Sequence, residues 1–324
     1  MSAVKDPLLV VDDLVVEYGE GPRRVQAVSG VSLHVDAGET LGLVGESGCG
    51  KSTLARSVLQ LVRPKSGSVR FSGTELTTLP AAEMRRMRQQ VQMIFQDPIA
   101  SLNPRRSVGD IVAEPLIIAG VRDVAERERR VREVLSAVGL EPDAVWQRRA
   151  SEFSGGQCQR ISIARTLVLQ PQLVVCDEPV SALDVSIRAQ IINLLEAMKA
   201  RYGLTLVFVA HDLAVIKAVS DRVAVMYLGR LCEVGPAEQV FAAPAHPYTS
   251  LLLAAIPSTD PDAPLARAPL NGELPSPMNP PSGCRFRTRC PKAQAVCAEQ
   301  APPMRAVSAA PGHAVACHFP NALA

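Results

Sequence analysis

The sequence predicts an α/β fold in which helices cover both faces of a parallel sheet. Three observations predict it. Short apolar runs of strand length, at residues 41–44, 173–176 and 204–210, are separated by stretches with helical spacing, the alternation expected of strands buried on both sides. One of these runs leads directly into a glycine-rich turn and then a helix. No internal repeat is visible, so the 324 residues hold one such unit rather than two.

The elements follow in order. Residues 8–18 and 31–36 are apolar and β-branched between Gly and Pro, and are expected as strands. The buried strand 41–44 precedes a helix over 51–62, and 68–71 is a short strand closed by Ser72-Gly73. From 98 to 151 the chain turns helical. Val124, Val131, Val134, Leu135 and Val138 trace an apolar stripe, while Glu126, Arg127, Arg129, Arg130 and Arg132 form an opposite, solvated face. A helix over 161–169, the strand 173–176, a helix over 187–200 with Ile191, Leu194, Leu195 and Met198 on one side, and the strand 204–210 complete the alternation.

Composition excludes several classes. Lys and Arg number 34 against 32 Asp and Glu, which argues against a protein that coats nucleic acid. Seven Phe, four Tyr and one Trp are too few for a base-stacking platform. The longest apolar candidate, 204–219, is interrupted by His211, Asp212 and Lys217, short of what a bilayer span requires. The opening MSAVKDPLLVVDD has no signal-peptide core, so a cytosolic chain with reduced thiols is expected. Fifteen of the 26 prolines and four of the eight cysteines fall from Phe241 onward. Composition thus marks a boundary near residue 240.

The chemistry is concentrated in a few motifs. Residues 45–53, GESGCGKST, fit G-x-x-x-x-G-K-[ST] between a strand and a helix. Gly45, Gly48 and Gly50 let the backbone of Glu46, Ser47 and Cys49 curl so that its N–H groups and the helix start face phosphates. Lys51 places a cation on the β and γ oxygens, the Ser52 hydroxyl suits Mg²⁺, and Thr53 completes the loop. Beside Lys51 and a helix N-terminus, the Cys49 thiol is expected to have a lowered pKa. Residues 173–178, LVVCDE, deliver Asp177 and Glu178 at a strand's C-terminal end, where open α/β sheets bind ligands. Asp177 suits the outer shell of the Mg²⁺ and Glu178 the polarisation of water. In 153–160, FSGGQCQR, Ser154, Gly155, Gly156 and Gln157 open another helix, a second anion site. Two phosphate-binding helix starts with one nucleotide imply a head-to-tail dimer.

Together these motifs resemble those of the ATP-binding-cassette (ABC) ATPases over almost the whole chain. The resemblance implies a P-loop NTPase core with a RecA-like parallel sheet, an antiparallel β subdomain and a helical subdomain, plus a small Pro- and Cys-rich C-terminal domain. The core would span 1–97 and 152–240, the helical subdomain 98–151 and the extension 241–324. It further implies ATP and Mg²⁺ as cofactors, Glu178 as general base, His211 as switch histidine, and Ser181, Ala182, Leu183 and Asp184 as the D-loop. Gln96 in IFQDP matches the glutamine that contacts Mg²⁺, and Tyr18 the aromatic that stacks on adenine. Phe153 and Cys158 depart from the usual signature, without expected loss of activity.

A narrower resemblance rests on residues 180–196, 211–230, 246–257 (HPYTSLLLAAIP) and 272–291 (GELPSPMNPPSGCRFRTRCP). These are similar to the ATPases of oligopeptide and dipeptide importers, nearest to their F-type subunit. The implied partners are a second, homologous ATPase in a heterodimer, two transmembrane permeases and, indirectly, an extracytoplasmic peptide-binding protein, with no nucleic acid. The implied location is the cytoplasmic face of the membrane, as a peripheral subunit. Nickel, glutathione or oligosaccharide importers of the same subfamily are alternatives for the cargo, and a soluble non-transport ABC ATPase is a further one.

Cys284, Cys290, Cys297 and Cys317 gather within 34 residues. In reducing cytosol this suggests a metal, with Zn²⁺ or an Fe–S cluster as candidates and free thiols without a metal as the alternative. The absence of a C-x2-C pair is against a zinc ribbon, and His313 and His318 are further possible zinc ligands. The family resemblance implies a [4Fe–4S] cluster.

Overall fold

A computed structural model of the chain describes residues 6–255, 273–307 and 312–321. They form two compact units, residues 1–77 with 210–324 and residues 78–209.

In the first unit, four strands make an antiparallel sheet in the order Val25–Val35, Leu9–Tyr18, Ser66–Phe71, Thr74–Glu75. Leu9 lies opposite Val35 on one side and Phe71 on the other. Alternation buries Leu9 and Val11, then Leu14 and Val16. The change of phase falls at Asp13, whose φ of 43° makes a bulge and whose amide donates to Ser32 Oγ at 2.9 Å. The same unit contains Thr40–Val44 parallel to Arg222–Tyr227. Arg230–Pro236 adds antiparallel to the latter, followed by Ala314–Val315 and Arg305–Ala306. The helix after the glycine-rich turn is Lys51–Val58, ending earlier than the sequence suggests because Gln60 takes a left-handed φ of 53°.

The described residues of the Pro- and Cys-rich tail group with this first unit. Its strand residues Ala314 and Val315 pair with Val234 and Glu233, and its Tyr248 and Phe286 bury their rings 4.8 and 5.2 Å from that of Tyr227. Residues 256–272, 308–311 and 322–324 lie outside the described residues, and with them the end of the 246–257 motif and Gly272.

Where the tail begins, a fully buried Glu233 accepts hydrogen bonds from the amides of Ala245 (2.7 Å) and His246 (2.9 Å) and lies 2.7 Å from His313 Nε2. His246 is itself buried, and its Nδ1 accepts from the Tyr248 amide, capping the Pro247–Ala254 helix. Burial holds the His246 pKa down to about 4 against the upward pull of Glu233. The unfolded chain therefore takes up this proton first as pH falls. Stability present above about pH 6.5 should be lost on acidification towards pH 4, by about 3 kcal/mol from this residue. Urea unfolding at pH 7.5 and pH 5 checks it: wild type should weaken, His246→Gln should be nearly level, and equal pH slopes for the two would refute the assignment.

The second unit carries a parallel sheet of Val91–Ile94, Leu173–Asp177 and Thr205–Val209, with Val91 opposite Leu173 and Leu173 opposite Thr205. Every residue of the last two strands is buried. Helices Pro98–Ser101, Val108–Ile118, Val124–Ala137, Pro142–Val145 and Gly155–Leu167 fill most of the stretch between the first two strands. Val131, Val134, Leu135 and Val138 are buried as the stripe requires, but Val124 is 65% exposed. It is the first helical residue, held outside the packed turn by the Asp123 cap on Ala125 and Glu126. On the opposite face, Arg129 and Arg130 share Glu126, and Arg132 bridges Glu128 and Asp143. The hydrogen bonds from Arg129 and then Arg130 keep the Glu126 carboxyl at about 2. These arginines spend their charge on neighbouring carboxylates, as a solvated face does. In Val185–Tyr202, Ile191, Leu195 and Met198 are buried and Leu194 is half-buried.

Candidate active site

In the first unit the residues 45–53 form a loop closed on its own lysine. Gly50 caps the Lys51–Val58 helix with φ of 104°, and a Cβ there would collide with the Ala27 carbonyl, so only glycine fits. Lys51, 5% exposed, aims Nζ back into the loop and donates to the carbonyl oxygens of Gly45 (2.7 Å) and Glu46 (2.9 Å). Ser52 and Thr53 lie in the helix's first turn, where amides lack helical acceptors and attract anions. Gly48 is left-handed, with φ of 78°, and Ser47 is exposed beside it. At the end of Leu9–Tyr18, the half-exposed Tyr18 donates its hydroxyl to Thr53 Oγ1 at 3.4 Å, which sets an aromatic ring beside the loop. His211 is exposed, immediately before Asp212, the N-cap of Leu213–Val219.

Cys49 differs from expectation. Its side chain is 1% exposed, and burial raises the thiol's pKa, outweighing the lowering influence of Lys51, whose Nζ lies 3.8 Å from Sγ. The thiol is buried, so the lowering expected from its neighbours does not prevail.

In the second unit, Asp177 is the last, fully buried residue of its strand, and Glu178 follows with a left-handed φ of 48°. The Gln96 amide donates to Glu178 Oε2 at 3.0 Å, so the two residues 82 positions apart meet as one group. Ser181 turns back on this corner, donating from both amide and hydroxyl to the Glu178 carbonyl. Asp184 caps Val185–Tyr202 by accepting from the Ile187 amide at 3.0 Å, which leads the causes that hold its carboxyl below the usual range. The loop 181–184 is therefore pinned at both ends.

The helix Gly155–Leu167 begins within the FSGGQ motif itself, six residues before the sequence suggests. Ser154 is its N-cap and Gln157 completes a capping box, each bonding the other's amide. A Cβ on Gly156 would lie 2.6 Å from Ile187 Cγ2, while one on Gly155 would touch Leu183 only at 3.7 Å. Glycine at 156 thus lets the helix start sit against the 181–187 segment. Ala182 lies between Ser181 and Leu183 in that segment.

Residues 28–181 match the ABC transporter family, and residues 232–297 match the oligopeptide/dipeptide transporter C-terminal region. The oligopeptide transport ATP-binding protein OppF of Salmonella typhimurium is 50% identical over 96% of this chain and 95% of its own length. The chain belongs to the ABC transporter family. A putative peptide import ATP-binding protein of Brucella ovis is 52% identical over 96% of this chain and 97% of its own length. Among solved structures, cbiO1 from Clostridium perfringens, part of the ABC transporter complex cbiONQ, is 28% identical with a TM-score of 0.66, covering 74% of this chain and 92% of that one. A dimeric ATP-binding cassette in a post-hydrolysis state bound to ADP and Pi is 28% identical with a TM-score of 0.64, covering 71% of this chain and 98% of that one. The fold is that of an ABC ATPase, and the activity is ATP hydrolysis. ABC ATPases work as dimers with membrane permeases, and among the described residues no helix is long and apolar enough to cross a membrane.

Within this ABC ATPase the two signature departures are accommodated. Cys158 is buried and its thiol faces the carbonyls of Ala150 and Phe153, while Arg148 stacks 4.3 Å over the Phe153 ring. The C-terminal cysteines are a partial correction. All four are free thiols, and Cys317, raised to about 11 mainly by burial, also feels Cys284, Cys290 and Cys297. Yet among the described residues no three His, Cys, Asp or Glu side chains converge as metal ligands. Backbone meets instead: the Cys284 amide donates to the Cys297 carbonyl at 2.8 Å. His313 is committed to Glu233, and His318 Nε2 lies 3.0 Å from the Gln300 carbonyl oxygen.

Sequence reasoning missed two residues that touch the phosphate loop. Tyr248 Oη accepts from the Glu46 amide at 2.9 Å, and Arg289 grips the Glu46 carboxylate with both guanidinium arms, at 2.7 and 3.0 Å. Both lie in quoted family segments, 246–257 and 272–291. Their only signal was an aromatic and an arginine inside motifs otherwise read for their prolines and cysteines.

Proposed function

We propose that this chain powers the uptake of di- and oligopeptides across the cytoplasmic membrane. The observation that carries the reading is the match of residues 232–297 to the C-terminal region of oligopeptide/dipeptide transporters, within a chain half identical to OppF over nearly its whole length. In the proposed cycle, ATP on the loop 45–53, with Tyr18 against adenine, meets the signature of a second, homologous ATPase. That subunit's own nucleotide meets Ser154, Gly155, Gly156 and Gln157 of this chain. ATP closes this head-to-tail heterodimer, and hydrolysis reopens it. The movement acts on two permeases supplied by an extracytoplasmic peptide-binding protein, with this chain peripheral on the cytoplasmic face.

The residues divide the work. Ser52, Gln96 and Asp177 offer hydroxyl, amide and carboxylate oxygens, a hard donor set that fits Mg²⁺. When bound, the ion neutralises charge on the β- and γ-phosphates. Lys51 and His211 stabilise charge on the transferring group. Glu178 takes the proton of the attacking water, with Gln96 orienting its carboxylate. The loop 181–184 passes the state of this corner to the second subunit.

Reconstitution in vesicles with its permeases and binding protein tests the reading. ATP-dependent uptake of labelled oligopeptides is expected. Uptake of nickel, glutathione or oligosaccharide in their place refutes the peptide cargo, and ATPase stimulated by DNA or ribosomes refutes the transport role.

For Cys284, Cys290, Cys297 and Cys317 we propose a [4Fe–4S] site, supported by an all-thiol donor set of four within 34 residues. Closing it requires side-chain rearrangement, since the thiols do not converge. Iron with acid-labile sulfide in the anaerobically purified protein supports the cluster. Stoichiometric zinc, or no metal, overturns it.

A further inference from the structure

The phosphate loop carries a carboxylate, Glu46, in a place that must receive a highly charged anion. In isolation that charge opposes ATP. Arg289 answers it from 243 residues away. Its side chain is 5% exposed and its guanidinium holds both carboxylate oxygens, while one arm also lies 3.4 Å from Tyr227 Oη. A bidentate fork of this kind is the strongest geometry open to an arginine and a carboxylate. Glu46 is engaged at its other polar atoms too. Its amide donates to Tyr248 Oη, and its carbonyl accepts from Lys51 Nζ.

The support behind Arg289 is rigid. Tyr227, Tyr248 and Phe286 pack in mutual edge and tilted contacts with centroids 4.8 to 5.3 Å apart, and Tyr227 and Tyr248 both contribute hydroxyls to the group around Glu46. Four residues before Arg289, Arg285 donates to the Leu228 carbonyl, to Gln26 Oε1 at 2.8 Å and to Ser29 Oγ at 3.0 Å. The Gly229 amide, next to that carbonyl, donates to the Cys49 carbonyl at 2.8 Å. The C-terminal segment and the phosphate loop therefore share one hydrogen-bonded frame.

We propose that Arg289 is a positioning residue for ATP: it neutralises Glu46 and fixes the phosphate loop, so that the C-terminal segment is part of the nucleotide site. The inference rests on the ATPase assignment and not on the cargo, so it stands or falls separately from peptide import. Its function is electrostatic as well as geometric. Loss of Arg289 leaves an uncompensated carboxylate beside the triphosphate, and the penalty rises with the number of phosphates on the nucleotide.

The test is equilibrium binding of Mg²⁺-ATP, ADP and AMP to the purified full chain, by displacement of a fluorescent ATP analogue. Arg289→Ala should weaken ATP about 10- to 100-fold, the scale of breaking a buried charge pair, with a smaller loss for ADP and the least for AMP. Adding Glu46→Gln to Arg289→Ala should recover most of the ATP affinity, because the stranded charge is gone. A merely structural role for Arg289 does not give that rescue or that dependence on phosphate number. ATP affinity within twofold of wild type in folded Arg289→Ala overturns the proposal, as does a double variant no better than the single. Should Arg289→Ala fail to fold, Arg289→Lys carries the same test: it keeps the charge but not the fork, and is expected to weaken ATP about threefold. Unchanged affinity in Arg289→Lys then overturns the proposal.

Discussion

Glu178→Gln is expected to lower ATP turnover by about 10²–10⁴ while leaving ATP bound. Glutamine keeps the side chain's length and its capacity to meet Gln96, whose amide now lies 3.0 Å from Oε2. It cannot take a proton from water. The loss matches the usual worth of a positioned general base, about 3–5 kcal/mol of barrier. Neither Lys51 nor the amides of the phosphate loop are touched, so nucleotide affinity should stay within a few-fold of wild type. The expected product is an ATP-loaded dimer that fails to reopen, visible by size-exclusion chromatography with the partner ATPase. Steady-state turnover like wild type in that assembly would sink the assignment of Glu178.

Lys51→Ala should act at the opposite stage, weakening ATP on the order of 100-fold. The buried ammonium bridges the carbonyls of Gly45 and Glu46 and holds the loop curled. Alanine removes that brace and the cation together. Hydrogen bonds to charged groups contribute roughly 1.5–3 kcal/mol each, and 1.4 kcal/mol is a tenfold change in affinity. Titration with a fluorescent ATP analogue checks it, and affinity within threefold of wild type would remove Lys51 from the binding role. The pair of variants separates the two effects: one chain binds but turns over far more slowly, the other binds far more weakly.

Much of this site is legible in the sequence because its geometry is local. The turn at Gly50 and the start of the helix at Lys51 depend on residues a few positions apart, so spacing alone predicts them. The carboxylates after the 173–177 strand follow from the same rule, since a strand's end fixes where the next residue goes. What sequence could not supply is set by packing at long range. Cys49 lies next to a cation and a helix start, conditions that lower a thiol's pKa, yet the fold turns it inward and burial decides the sign. Val124 has the right period but stands before the helix's first packed turn. The tail looked separate because its composition changes, whereas strand pairing and aromatic contacts, which composition does not encode, join it to the first unit. Arg289 is the extreme case, meeting its partner across 243 positions.

The left-handed backbone at Glu178 has an evolutionary price tag that a stability screen would expose. A non-glycine residue held there costs about 1–2 kcal/mol, which glycine would not incur. Random variants selected only for heat resistance should therefore collect glycine at position 178, and the hardiest of them should be inert. Thermal unfolding of Glu178→Gly, expected a few degrees above wild type, measures the effect; an unfolding temperature at or below wild type would show that the corner is unstrained. The residue proposed as general base is one that folding, left to itself, would discard.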